Sequence, residues 1–272
     1  MAVWARGRCR PHRARPGRAA PAGSGPASQA SRASGYGRTA GIAGIAFTGL
    51  FTAALVLVNQ APSLVASNSS YTRFYTTGDH GALVTAGLYF LPFAGIAFLW
   101  FMSALRALQN ELLGAAAPDI PAWLQLLSGA LFIVLIFAGM AAAGAIALLV
   151  NFSASPLPGP GVARALSAAG YGMVFVYGAR VAGMYMITST TLLRAGGVLP
   201  RWLAWLGYLA AAGVLVSWTF HPVFALIFPG WTLAVGVVLL TAGRVRGGRA
   251  HLAEGGTHAP ASAPLSDSEE FP

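Results

Sequence analysis

The sequence predicts an all-α protein: a polytopic membrane protein with six transmembrane helices in one bundle and both termini in the cytoplasm. Composition is the first reason, since 56% of the 272 residues are hydrophobic and 9% are charged, whereas soluble domains carry about 25% charged residues. The second is a series of continuous apolar runs of about 20 residues, the length at which a helix crosses ~30 Å of hydrocarbon. The third is the placement of the arginines, which sets the orientation.

Residues 1–38 precede the first apolar run and form an Arg-rich N-terminal tail. Eight of the seventeen basic residues lie in this tail, which is rich in Pro, Gly and Ser and has no acidic residue. Such a composition cannot bury an apolar core, so we predict disorder. The alternatives for its role are a solvated tail that fixes orientation, a polybasic segment on anionic headgroups, a transit peptide, or a leader outside the true reading frame. Because the net charge of +10 is concentrated here and at helix ends, it does not indicate nucleic-acid binding.

The transmembrane domain is predicted over residues 39–245, and a disordered C-terminal tail over 246–272. Ala40, Gly44 and Thr48 recur every four residues in the first span and predict a close-packing face. Pro92 lies inside the second span, where it lacks an N–H and is predicted to kink the helix. The predicted spans are, in chain order, residues 39–60, 83–105, 123–150, 171–193, 202–220 and 224–243.

Arginine placement predicts the orientation. With the N-terminus inside, the inner connections hold Arg106, Arg194 and Arg201, together with the three arginines that follow the last span. The outer connections hold only Arg73 and Arg164. Cytoplasmic loops carry the excess of Lys and Arg, so this asymmetry predicts both termini in the cytoplasm even without the N-terminal tail.

Arg180 is the main candidate site residue, because it lies well inside the fourth predicted span. An arginine in hydrocarbon costs at least a few kcal/mol and faces a bundle interior, a wet cavity or a partner. Tyr177 lies three residues before it on the same predicted face, and Asp79 is the nearest acid in the predicted topology. We therefore expect Arg180, Tyr177 and Asp79 to bind a lipid headgroup or small anion. The alternative is a structural arginine that snorkels outward or bonds backbone carbonyls near Pro92.

Several function classes lack their motifs. The sequence has no Walker A motif, no GxSxG and no paired carboxylates inside a span, and we expect no catalytic residue, metal or cofactor. Its single cysteine, Cys9, excludes an intrachain disulfide. The expected function is a non-enzymatic membrane protein whose partner is the lipid bilayer. The alternatives are a small transporter or permease-like component that uses Pro92 and Arg180, and an intramembrane lipid-modifying enzyme.

Two long runs carry a resemblance to known proteins. LPFAGIAFLWFMSALR at residues 91–106 and RVAGMYMITSTTLLRAGGVLPRWLAWLGY at 180–208, with FPGWTLAVGVVLL near the end, resemble a family of uncharacterised actinobacterial multi-pass integral membrane proteins. Residues 180–207 are also similar to DUF4386-type membrane proteins. The resemblance implies a helical membrane fold and a bacterial inner (plasma) membrane, and it implies no activity.

Overall fold

The computed structural model describes residues 26–114, 118–153, 156–216 and 222–255. Within these ranges the regular elements are helices, mostly α with two π-helical segments. Two of the long helices are composite, because α3, π1 and α4 run on without a break, as do α6, π2 and α7. The elements are α1 (Pro26–Val58), α2 (Asn68–Thr76), α3 (Gly81–Thr85), π1 (Ala86–Phe90), α4 (Leu91–Leu113), α5 (Asp119–Phe152), α6 (Pro160–Tyr171), π2 (Gly172–Gly178), α7 (Ala179–Ala195), α8 (Arg201–Val216) and α9 (Pro222–Gly255).

Four helices in the described ranges are long and apolar enough to cross a membrane: Ser28–Val58, Gly81–Leu113, Asp119–Phe152 and Ala225–Ala242. They contain the second and third predicted spans and match the first and sixth to within two residues at the predicted ends. The all-α class is confirmed for the described residues. The fourth predicted span lies in the composite helix over residues 160–195, which is not among the four. The fifth corresponds to the shorter apolar helix α8, and its predicted end at Phe220 lies outside the described residues.

Large apolar side chains cover the outward faces of these helices. Trp100 is 62% exposed on α4, Leu127 is 67% exposed on α5 and Leu209 is 71% exposed on α8. Monomeric soluble proteins rarely expose large continuous apolar surfaces. This surface therefore suits hydrocarbon rather than water as the surrounding medium.

The helix α1 begins at Pro26, so the prediction of a disordered tail is wrong for residues 26–38; residues 1–25 lie outside the described residues. Proline is well tolerated in the first turn of a helix. The added turns reach α4, where Arg32 Nε lies 3.8 Å from Glu111 Oε1 and Ala33 packs against the core. These tertiary contacts stabilise a helix that the composition alone does not favour.

The predicted connections before the third and fourth spans and the predicted C-terminal tail are also partly helical. The α4 helix continues through RALQNELL to Leu113, and α9 continues past the predicted tail start at residue 246 as far as Gly255. Ala, Leu, Arg and Glu occur in both extensions and have high helix propensity, although the α9 extension also contains three glycines. The predicted loop before the fourth span becomes helical at Pro160, again with proline in the first turn.

The predicted close-packing face of α1 lies against α4 and α9. Ala40 is fully buried, and a Cβ built on Gly44 would lie 3.1 Å from the Phe101 ring. Thr48 Oγ1 donates a 3.0 Å hydrogen bond to the carbonyl of Pro229 on α9. Small residues let backbones approach closely in membranes, and hydroxyls bond across helices. The predicted role of this face is confirmed.

Aromatic side chains from five helices fill the centre of the bundle. The ring centroids of Phe47 and Phe98 are 5.0 Å apart, and those of Phe132 and Phe228 are 4.8 Å apart. Tyr185 from α7 joins this group 5.2 Å from Phe98. These tilted and edge-to-face pairs stabilise the packing beyond the area they bury. We call this closely packed cluster of Phe47, Phe98, Phe132, Tyr185 and Phe228 the aromatic plug.

Candidate functional site

Arg180 occupies the first turn of α7, directly after π2. Its side chain is half-buried, and Nη1 donates a 2.8 Å hydrogen bond to the carbonyl of Val176 in π2. Helical side chains lean toward the N-terminus of their helix, so the guanidinium points toward the α6 end. The structure thus places Arg180 on a backbone carbonyl. That carbonyl belongs to its own helix, and not to the region of Pro92.

The depth of Arg180 follows from its neighbours on α5. A Cβ built on Gly178 would lie 3.8 Å from Ile136 Cδ1, whereas one built on Gly170 would lie 2.8 Å from the backbone nitrogen of Ala143. Ten residues separate Gly170 from Arg180, which is roughly 15 Å at 1.5 Å per residue. Along the helix axis, Arg180 therefore lies well away from the α6 end of the bundle, with its charged end directed back toward α6.

Neither Tyr177 nor Asp79 is hydrogen-bonded to Arg180 in the part of the chain that the structure describes. Tyr177 is 61% exposed and lies in the π-helical segment π2. Asp79 is exposed and accepts a 2.8 Å hydrogen bond from Thr77 Oγ1. In the described part of the chain, no ion pair joins Asp79 to Arg180.

A π-helical turn lies where Pro92 was predicted to kink the second span. The N–H of Leu91 bonds the carbonyl of Ala86, five residues back, and Pro92 follows in the first turn of α4. A wider turn relieves the clash between the proline ring and the preceding carbonyl. Such π-bulges are a recognised cause of bends and are frequent at functional sites.

The helix α5 lies between the two π-helical segments. A Cβ built on Gly87 of π1 would lie 3.5 Å from Met140 Cε, and one built on Gly139 would lie 2.7 Å from Val174 Cγ2 of π2. Adjacent α5 residues thus contact the two widened turns at one level of the bundle. Both π-helical departures from regular α-helix therefore lie at the same level of the bundle, beside α5.

A cavity of about 530 Å³ opens beside π2, and we call it the cap-end cavity. It lies between the end of α1, the loop that follows it, π2 and the start of α9. Its lining is mostly apolar, with Asn59, Ser63 and Tyr171 as the polar exceptions. The lining residues described are Leu55, Val56, Val58, Asn59, Ala61, Ser63, Leu64, Val65, Tyr171, Phe175, Ala225 and Leu226.

Arg164 of α6 fastens the loop that lines this cavity. Its Nη2 donates to the carbonyl of Ala66 at 2.7 Å and to Asn68 Oδ1 at 3.0 Å. The guanidinium also lies 5.2 Å from the centroid of the Tyr71 ring, within cation–π range. Tyr71 in turn donates to the carbonyl of Ser63 at 3.3 Å. Sequence reasoning placed Arg164 only at the outer surface, because nothing in its neighbours along the chain signals this long-range contact.

Two further side chains complete the cap formed by residues 59–80 and α6. Tyr75 is buried. Burial raises the pKa of Tyr75 to about 12, the nearby phenols of Tyr71 and Tyr171 add to the increase, and a hydrogen bond with Ser167 opposes it. The phenol is therefore neutral and available as a donor at physiological pH. The ring of His80 lies 6.1 Å from that of Tyr75.

Comparison with known proteins gives no relative. The chain matches no family model, and no curated protein or solved structure is significantly similar to it. The candidate function therefore depends on the site alone.

Proposed function

We propose that this chain is a non-enzymatic multi-pass protein of a bacterial plasma membrane that binds a lipid, with one acyl chain in the cap-end cavity. The cavity carries the proposal. Its volume of about 530 Å³ lies in the range of ligand pockets, which are mostly apolar with a few placed polar groups. An acyl chain would satisfy the apolar lining, and a polar headgroup would reach Asn59, Ser63 or Tyr171.

The proposed topology has six spans with both termini in the cytoplasm. It takes the composite helix over residues 160–195 and α8 as the fourth and fifth spans. Two observations support it: Gly183 of α7 packs closely on Ala211 and Leu215 of α8, and Arg194 lies in the last turn of α7, before the turn to Arg201. In this topology the cap-end cavity opens in the outer leaflet. The proposal also includes the resemblance to actinobacterial multi-pass membrane proteins and the bacterial plasma membrane location, both of which were predicted from the sequence.

A headgroup or small anion at Arg180 is a second candidate for the same function. The observation that favours it is that Arg180 is only half-buried and uses one donor on Val176, while an arginine has five N–H donors. The exposed phenol of Tyr177 lies one turn toward the cap end. An anionic group could approach from the lipid side without entering the bundle.

The transporter and enzyme alternatives have less support. A transporter needs a path that continues from the cavity to the other end, but the aromatic plug around Phe98, Phe132 and Phe228 fills the centre. An intramembrane enzyme needs a second reactive group near Arg180. Of the described residues one turn from Arg180 (Val176, Tyr177, Gly183 and Met184), only Tyr177 has a polar side chain, and that side chain is exposed rather than hydrogen-bonded to Arg180.

Photolabelling tests the cavity directly. The protein is reconstituted with a phospholipid that carries a diazirine in its acyl chain, and the labelled peptides are mapped by mass spectrometry. We expect labels on the residues of α1 and π2 that line the cavity. Ala225→Phe fills the cavity and should reduce this labelling several-fold. Ala212→Phe is the matched control, because Ala212 is exposed on α8 and lies outside the cavity lining.

An Arg180→Gln variant separates the two candidates. If the lipid is held by the cavity, labelling persists in this variant and falls in Ala225→Phe. If Arg180 holds the headgroup, labelling falls in Arg180→Gln and persists in Ala225→Phe. Uniform labelling of all outward faces, equal in the wild type and Ala225→Phe, would contradict lipid binding at either place.

A further inference from the structure

The end of the bundle opposite the cap contains buried polar side chains that the cavity does not use. Gln109 of α4 is 1% exposed, and neither its amide nitrogen nor its amide oxygen has a hydrogen-bond partner. Gln125 of α5 is fully buried and donates a 2.8 Å hydrogen bond to Ser189 Oγ, but its oxygen is unpartnered. Buried polar groups in native proteins are normally satisfied, so these two amides indicate a missing partner.

Close helix contacts place these side chains at one junction of α4, α5 and α7. A Cβ built on Gly129 would lie 3.1 Å from the Tyr185 ring and would also meet Met102. One turn toward the end of the bundle from this level come Arg106 on α4, Gln125 on α5 and Ser189 on α7.

A second helix contact, between α4 and the end of α7, marks the outer end of the junction, farthest from the level of Tyr185. Leu112 Cδ1 would lie 3.3 Å from a Cβ built on Gly196. Gln109 is three residues before Leu112 and therefore lies on the same face, one turn farther inside. Its amide is thus enclosed between the level of Gln125 and the end of α7.

The junction carries positive charge without a described counter-charge. Arg106 is half-buried, and its Nη1 is buried without a partner. Of the acids described at this end, Glu111 pairs with Arg32 on α1 and Asp119 is exposed. A buried cation needs a paired charge or strong acceptors.

We propose that this junction binds a small oxyanion, with Arg106 as the charged ligand and Gln109 and Gln125 as neutral hydrogen-bonding ligands. Arginine forms the strongest hydrogen bonds with carboxylate and phosphate oxygens. The amide of Gln109 donates through Nε2. The amide of Gln125 can present either end, because the hydroxyl of Ser189 both donates and accepts. Arg106 lies beside the exposed Ser103 and Asn110, which gives access from the surface.

Thermal unfolding of the detergent-purified protein tests this site. Inorganic phosphate and acetate are titrated separately, with sodium chloride, which is not an oxyanion, holding the ionic strength constant. Selective binding to the folded state raises its apparent stability with ligand concentration. We expect a saturable increase of the unfolding midpoint in the wild type and none in Arg106→Gln. Arg194→Gln is the matched control, since Arg194 is an exposed arginine at the same end, and it should keep the full increase.

A second variant distinguishes ligand binding from a purely structural role. Gln109→Leu replaces an unsatisfied amide by an apolar side chain of similar size, so we expect a higher midpoint without anion and a smaller increase with it. If Arg106→Gln does not fold, the anion response of Gln109→Leu tests the proposal instead. The proposal is overturned if neither anion stabilises the wild type, if Gln109→Leu keeps the full increase, or if Arg194→Gln loses as much as Arg106→Gln. Lipid labelling at the cap-end cavity should be unchanged in Gln109→Leu, which separates the two proposals.

Discussion

Arg164 and Arg180 use the same guanidinium group in different ways. Arg164 joins segments nearly one hundred residues apart, through Ala66 and Asn68. Arg180 bonds a carbonyl of its own helix, four residues back. Sequence reasoning selected Arg180 because its position in an apolar run is visible along the chain. It could not identify Arg164, since the value of that residue depends on a contact that only the folded chain makes.

Replacing Arg164 should loosen the cap. We expect Arg164→Met to reduce the free energy of unfolding by about 2 kcal/mol, because it removes two hydrogen bonds from a charged donor and a cation–π contact. Arg73→Met is the control, since Arg73 is an exposed arginine on α2, and it should change stability by less than about 0.5 kcal/mol. Chemical denaturation of the reconstituted protein measures both values. Equal effects of the two substitutions would show that Arg164 does not fasten the cap.

At the scale of elements, the long helices depend both on the hydropathy of their own residues and on contacts with other helices. Hydropathy predicted where the apolar runs lie, because burial in hydrocarbon is a property of the residues themselves. It did not predict that α1 starts at Pro26 or that Pro92 follows a π-helical turn. Those features coincide with contacts between distant parts of the chain, namely Glu111 facing Arg32 and α5 packing beside Gly87.

The crossing of α5 and α6 offers a sharp test of helix packing. A Cβ built on Gly170 would lie 2.8 Å from the backbone nitrogen of Ala143, so Gly170→Ala should force the helices apart. We expect a loss of about 1–3 kcal/mol in the free energy of unfolding, as for other overpacked sites. Gly172→Ala is the matched control, because nothing lies within 4 Å of the added methyl group. If both variants unfold at the wild-type denaturant concentration, the helices do not cross as closely as described.

The candidate sites were predictable only in part. The choice of Arg180 and the expected small-residue contacts came from residue type and spacing. The cap-end cavity and the polar junction did not, because each gathers side chains from at least three segments. Gln109 and Gln125 look unremarkable along the chain, and only their joint burial makes them candidate ligands.

At the scale of the whole molecule, the bundle has a cap with an apolar cavity at one end and a polar, arginine-bearing junction at the other. The aromatic plug lies between them. If both proposals hold, the two ends face opposite sides of the membrane and bind ligands of different chemistry. This arrangement depends on the composite helix over residues 160–195 crossing the bilayer.

Labelling of single cysteines from the two sides of the membrane tests that crossing most directly. In a Cys9→Ser background, cysteine replaces Gly159 before the composite helix or Ala195 at its end, and Ser69 and Asn110 serve as reference positions; all four are exposed. A membrane-impermeant maleimide is applied to intact and to permeabilised bacterial cells. We predict that positions 69 and 159 react in intact cells, and that positions 110 and 195 react only after permeabilisation. Reaction of positions 159 and 195 from the same side would contradict the six-span topology and the placement of the two sites on opposite sides.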